Sequence, residues 1–417
     1  MVIILSLLVG YSFTQAVALF SQASRTALSY PALADGMTPL DGIFIPSFGA
    51  YYLVETFLLP FIIIQLIGRD KHDGTLKLLL QLPLSTFSLN AVKLLATAVI
   101  WLIVMVPGIS VFIIWHYLGG SCYSPEIFCL ILGHTLYTLI IITVAMFATA
   151  VAVTMPAAAM ICLSVTLGSW VLAFAADKGK IIAILNMISL TNLLHQLECG
   201  LLSSTILLSF ILPAAFFFVA ASIFLHSGRN IFSNLTLLLI NFFTFLTLFY
   251  IANQLPYHFD ASENHRHSFS RADTRALQKM NKPLKITIHL AFEDGRLHDL
   301  RNGVLAKLQR LVANLRIVYA KQDTQNIFAA PESDDYGLIE YDYGNGHDES
   351  YSTSSVEILT ILHNLAGQKV SVASSRNSSG HPLVADASSS RYWFYLFLPM
   401  LFLLSGYLAR RPQSFKT

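Results

Sequence analysis

The sequence predicts a polytopic α-helical membrane protein of about eight spans, with a small α/β extracytoplasmic domain between the last two. The first observation behind this is composition. Of 417 residues, 55% are hydrophobic and only 12% charged, and the mean hydropathy is +0.61, too apolar for an ordinary soluble fold. The second is the grouping of apolar residues into runs of the roughly 20 that a bilayer crossing needs. The third is the placing of charge: residues 252–391 hold 15 of the 26 Lys and Arg and 16 of the 24 Asp and Glu, so that segment alone reads as soluble.

Taken in order, a first uncharged span is expected over about residues 2–20, without the basic n-region or cleavage site of a signal peptide. A polar loop with Pro31, Pro39 and Gly42 follows over 21–45. Span two, about 46–68, runs from Pro46 through Glu55 and Pro60. Spans three (about 91–117) and four (about 127–150) are joined by a turn at Gly119-Gly120 and Ser124-Pro125. Span five, about 157–176, follows a break at Thr154-Met155-Pro156, and residues 181–200 read as a short amphipathic helix and loop. Spans six (about 201–225) and seven (about 231–252) flank a minimal turn, and an eighth span, about 392–409, leads to a basic tail. With both termini cytoplasmic, Arg69, Lys71, Lys77, Arg229, Arg410, Arg411 and Lys416 lie inside, in accord with the positive-inside rule; Arg25, Lys178 and Lys180 lie outside against it.

The loop after span two is the most informative stretch. Arg69, Asp70, Lys71 and Asp73 must lie outside the hydrocarbon. Asp73 is expected to N-cap a short helix, with Leu76, Leu79 and Leu80 at i, i+3 and i+4 before Pro83, and Ser85 to cap the next span. Read from the residues alone, this helix either receives a push from a soluble motor or anchors the loop at the interface.

The run Asp70-Lys-His-Asp-Gly74-Thr75-Leu76-Lys77-Leu78-Leu79-Leu80-Gln-Leu82-Pro83-Leu84-Ser85, then Lys93-Leu94-Leu95, resembles the signature of ABC-2 type permeases, in their gliding-motility-type form. Arg69 stands where the family has an acidic residue, Lys77 replaces a Glu, and Ala91-Val92 precede Lys93 without a Gly. The resemblance implies a permease core of six spans over residues 1–230, with a seventh span at 231–252, the extracytoplasmic domain at 253–391, and the eighth span and tail at 392–417. It implies a homodimer or paired permease in the bacterial inner membrane, driven by a separate ABC ATPase that holds the ATP and Mg. That ATPase would dock on Arg69, Asp70, Asp73, Gly74, Thr75, Leu76, Leu79, Leu80, Pro83 and Ser85.

The polar segment shows strand signals at Ile286, Ile288 and Leu290, at 315–320, at 337–343 and at 369–374. Helices are expected over 297–314 and 355–366. The stretches Phe259-Asp260, His267-Ser268-Phe269-Ser270-Arg271-Ala272-Asp273-Thr274 and Asn281-Lys282-Pro283-Leu284-Lys285-Ile286 resemble the opening of the auxiliary extracytoplasmic domain found beside gliding-motility-type permeases, here fused to the permease.

No Gly-x-x-x-x-Gly-Lys-Ser/Thr phosphate loop occurs, so this chain is not expected to hydrolyse ATP, and no local nucleophile motif points to an enzyme. No cofactor or metal is expected in the chain itself. Asp342 to Glu349 lacks the spacing of a calcium loop and reads as a solvated turn. No basic patch interleaved with aromatics suggests nucleic acid. Ionisable residues within spans are functional candidates by default, which singles out Glu55 and His134: pathway lining or a helix contact for the first, a satisfied core imidazole more readily than a pathway for the second. Cys122 and Cys199 fall in loops on one face and form a candidate disulfide. Three readings remain: a permease subunit of an ABC exporter, a non-transporting membrane scaffold or mechanotransmitter, and a proton-coupled transporter using Glu55 and His134.

Overall fold

The structure, a computed structural model, describes the chain apart from residues 35, 80, 82–84, 176–188, 227–229, 256, 264, 292–293, 313, 320–335, 369–379 and 411–417. The chain divides into two compact units, Met1–Glu263 with Ser379–Thr417, and Asn264–Ser378. The polar segment is therefore narrower than its composition suggests, because both of its flanks are bonded into the first unit.

The first unit is a helical bundle: α1 (Val2–Ser29), α2 (Ile45–His72), α3 (Thr75–Leu79), α4 (Thr86–Val104), α5 (Val106–Tyr117), α6 (Ser124–Val151), α7 (Met155–Ala175), α8 (Leu190–Glu198), α9 (Ser204–Leu225) and α10 (Ile231–Ala252). A last helix, α15 (Leu398–Arg410), follows a turn at Ser390–Tyr392 and a π segment at Trp393–Phe397. Among the described residues, seven helical runs are long and apolar enough to cross a membrane, which makes this a multi-pass membrane protein. The eighth span, expected over about 392–409, is helical too, within a stretch from Ser390 to Arg410 that begins with Arg391, and it is not among the seven. The loop expected at 21–45 is corrected: α1 continues to Ser29, and a π segment at Leu40–Phe44 runs into α2.

α6 is the hub, with two thirds of its apolar window (67%) buried, whereas α10 buries only 6% and presents its surface outward. One core joins Ile63, Ile64, Tyr137, Ile141, Cys162, Leu197 and Phe210; the other joins Leu5, Phe13, Phe48, Tyr51, Trp115 and Phe394. Pro107 deprives the α4–α5 junction of a donor, and the Tyr51 hydroxyl bridges the gap, donating to Val104 O at 2.9 Å and accepting from Gly108 N–H at 2.8 Å.

The flanks of the polar segment pair within this unit. β1 (Leu201–Ser203) runs antiparallel to β2 (His258–Asp260), with Leu201 opposite Asp260. On the return, Ser24 Oγ accepts from Leu383 N–H (3.0 Å), and Ser21 Oγ accepts from Ala385 N–H (3.1 Å) and donates to Ala385 O (2.8 Å). An extended stretch thus lies along α1, its amides satisfied by serines.

The second unit is a four-stranded sheet ordered β4-β3-β5-β6, from β3 (Leu284–Ile288), β4 (Leu315–Tyr319), β5 (Ile339–Tyr343) and β6 (Gly346–Ser350). β3 and β4 are parallel, and the others pair antiparallel. The crossover from β3 to β4 is helical, α12 (Gly295–Leu300) and α13 (Ala306–Leu311) with a π segment between them. Together with α11 (Arg271–Gln278) and α14 (Ser355–Leu365), it covers one face: Ile286, Ile288, Ile339 and Tyr341 pack with Leu277, Leu300, Leu308 and Leu362. β6 corrects the expected solvated turn at 342–349, which is a hairpin around Gly344-Asn345. The strand expected at 369–374 lies outside the described residues.

Candidate functional site

The elbow between α2 and α4 is built from local chemistry. Asp73 is the C-cap of α2, where the sequence reading expects it to start α3: its N–H bonds Arg69 O at 2.8 Å, and Gly74 follows at φ +76°. Thr75 to Leu79 form α3, on which Leu78 is exposed. Ser85 caps α4 as expected, its Oγ accepting from Ser88 N–H at 3.1 Å. Asp70 bridges to Lys93 of α4 at 2.9 Å, and Arg69 to Asp73 at 3.2 Å. Leu80 and Pro83 lie outside the described residues, as does the side chain of Leu76.

Lys71, beside this elbow, reaches the end of α6. Its Nζ donates to Thr149 O (3.1 Å), Ala150 O (3.2 Å) and Ala152 O (2.7 Å), satisfying carbonyls the helix end leaves open. A cavity of about 530 Å³ adjoins it, lined by Gly68, Thr149, Val153 and Pro156 among others. The end of α6 and the turn that follows it are in this way held by one lysine.

The second constellation lies in the middle of the bundle. Glu55 (α2) and His134 (α6), separate candidates in the sequence, are in contact: His134 Nδ1 is 3.1 Å from both Glu55 carboxylate oxygens. Both side chains are fully buried, with Phe48 and Tyr51 rings 5.2 and 5.9 Å from the imidazole. A third member was missed. Glu198, the last residue of α8, places Oε1 at 3.1 Å from His134 Nε2, an ion-pair distance. A signal for it exists in the sequence: Leu190, Leu194 and Leu197 mark the apolar face of α8, and Glu198, four residues after Leu194, shares it.

α8 is held in place by its own contacts. Ser189 Oγ donates to Ser169 O at 3.0 Å, Ser169 Oγ accepts from Leu190 N–H at 2.7 Å, and Thr191 shares a hydrogen bond with Tyr52 of α2 at 3.0 Å. His195 Nδ1 lies 3.6 Å from Glu198 Oε2. Burial works to raise the Glu198 carboxyl, but the two imidazoles, His134 and His195, outweigh it and hold it below the usual carboxylate range. A cavity of about 240 Å³ opens beside the cluster between Gly49, Tyr52, Thr191, Leu194, His195 and Glu198.

Cys122 and Cys199 are not bridged to each other, contrary to the candidate disulfide. The Cys122 thiol faces Phe112 O at 3.9 Å and the Cys199 thiol faces His195 Nε2 at 3.7 Å. Among the described residues no group of His, Cys, Asp and Glu is arranged to hold a metal ion. No family model, no curated protein and no solved structure matches this chain.

Proposed function

We propose that the chain is the membrane-spanning permease subunit of an ATP-binding-cassette exporter of the bacterial inner membrane, paired with a second permease and driven by a separate ATPase. The observation that carries this reading is the elbow at 69–93. Its helix is joined to α2 through Gly74 and leads to the capped start of α4, while Asp70–Lys93 and the Lys71 contacts fasten α2 to α4 and α6. A load applied to α3 would therefore tilt three spans as a body rather than flex a loop. The exposed Leu78 gives a docking protein an apolar contact.

The test is a photo-crosslinking residue in place of Leu78 in intact membranes. An adduct with a phosphate-loop ATPase, together with loss of substrate-stimulated hydrolysis in Leu79→Asp, supports the assignment. A complex that keeps full stimulated hydrolysis with the elbow disrupted shows that it is not the coupling element.

One observation favours the mechanotransmitter reading. Glu263, the last residue before the second unit, gives its N–H to Glu126 of α6 at 2.8 Å and its carboxylate to His381 at 3.0 Å. The outgoing and returning chains are stapled to each other and to the bundle, as a protein that passes force to an attached domain requires. A chain that binds its ATPase but stimulates hydrolysis with no exported solute would fit this second role.

A further inference from the structure

We propose that Glu55, His134 and Glu198 form a proton-held latch, in which one bound proton keeps α8 seated against α2 and α6 and its loss frees α8. The inference does not depend on which machine drives the bundle. It begins with hydrogen counting. An imidazole whose two nitrogens each face a carboxylate at 3.1 Å needs a hydrogen on both edges. Neutral imidazole supplies one. The other edge is closed either by a second ring proton, giving an imidazolium between two carboxylates, or by a proton on one carboxyl. Both forms hold one proton more than neutral His134 with both glutamates ionised. With that proton gone, a ring lone pair faces a carboxylate in a dry interior, which is repulsive.

The two edges are unequal. Nδ1 is hydrogen-bonded to both Glu55 oxygens, whereas Nε2 is paired with a single oxygen of Glu198. Opening is thus expected at Glu198, the residue on the short helix, and not between the two long spans. What moves with α8 is also given. Gly200 O accepts from Ala261 N–H at 2.9 Å, and Leu201 pairs with Asp260, so the β1–β2 pair is tied to the end of the helix.

Other titratable groups face the cluster. They are Tyr51 and Tyr52 on α2, Tyr137 on α6, and His195 and Cys199 at the end of α8. The ion pairs of Glu55 and Glu198 among the described residues are to imidazoles alone. Only His195 could imitate His134 near neutral pH, so the test must separate the two.

The experiment is hydrogen–deuterium exchange on the full chain in lipid nanodiscs from pH 6 to 9, with rates corrected for intrinsic exchange. If opening releases one proton, protection of the α8 amides falls by up to about tenfold per pH unit above the ordinary imidazole value of about 6.5, while α6 stays protected. His134→Gln abolishes the slope, Glu198→Ala loses at least tenfold protection already at pH 6, and His195→Asn keeps the wild-type profile. A flat wild-type profile overturns the proposal without any variant. So does a slope that survives His134→Gln, or one that disappears in His195→Asn.

Discussion

Asp70 and Lys93 lie 23 positions apart and meet at 2.9 Å, joining the last turn of one span to the first turns of the next across the elbow. The lysine is mostly covered and the aspartate partly so, which places the pair between a surface bridge and a buried one, and worth about 1 kcal/mol or less. Its effect is geometric more than energetic. Spin labels at Leu66 and Leu95, both exposed, should report one narrow distance in the native protein and a broader one in Asp70→Asn. The charge swap, Asp70→Lys with Lys93→Asp, should restore the narrow distribution, as a double-mutant cycle for a direct contact requires.

Gly74 makes a different demand on the same elbow. A Cβ there would touch nothing within 4 Å, so the constraint is the φ of +76° and not space. Gly74→Ala should cost about 1 kcal/mol locally. Because the cost falls on the α2–α3 junction, the expected outcome is an unchanged melting temperature of the bundle and weakened binding of the proposed ATPase. Measuring both on one preparation checks it, and a large fall in melting temperature would place the strain elsewhere.

In the second unit the clearest pH dependence comes from Asp294. The Arg296 guanidinium, donating at 2.8 Å, and the Tyr336 hydroxyl at 2.8 Å hold this carboxyl down to about 2. The folded value lies below the unfolded value of about 3.9. The stabilisation is therefore complete above about pH 4 and is lost as the pH falls towards 2. Arg296 is half exposed, so solvent screens the pair and the effect is small. Amide protection of β3 and β5 should decline between pH 4 and 2.5 in the native chain, and less steeply in Asp294→Asn.

What could be read in the sequence follows from how local its cause is. α10 matches its expected bounds of 231–252, because a run of apolar residues with no polar partner needs nothing else to define it. The Ser85 cap was legible for the same reason. Asp73 was not: the sequence shows an acid before a helix, and whether it ends one helix or starts the next depends on Gly74 adopting positive φ. Glu198 and β6 are different again. The first carried a signal, an acid on an apolar face, whose meaning depends on an imidazole 64 positions away. The second had a Gly-Asn turn among charged residues, and its register against β5 is set by the sheet. The serines that hold residues 383–385 on α1 had no local signature, since their partners are backbone amides some 360 positions distant.

That last contact surface gives a test with two arms. A Cβ on Gly10 of α1 would meet the Cβ of Phe394 and come within 2.8 Å of its Cγ, and Phe394 is fully buried with nowhere to move. Gly168 of α7 is also a mid-helix glycine, but a Cβ there meets nothing within 4 Å. Helix propensity favours alanine at both by roughly 0.5–1 kcal/mol. Overpacking against Phe394 costs typically 1–3 kcal/mol, so the two substitutions should have opposite signs. Gly168→Ala should raise the melting temperature in detergent, and Gly10→Ala should lower it and expose residues 383–398 to protease. If both alanines stabilise equally, the returning helix is not packed on α1 as described.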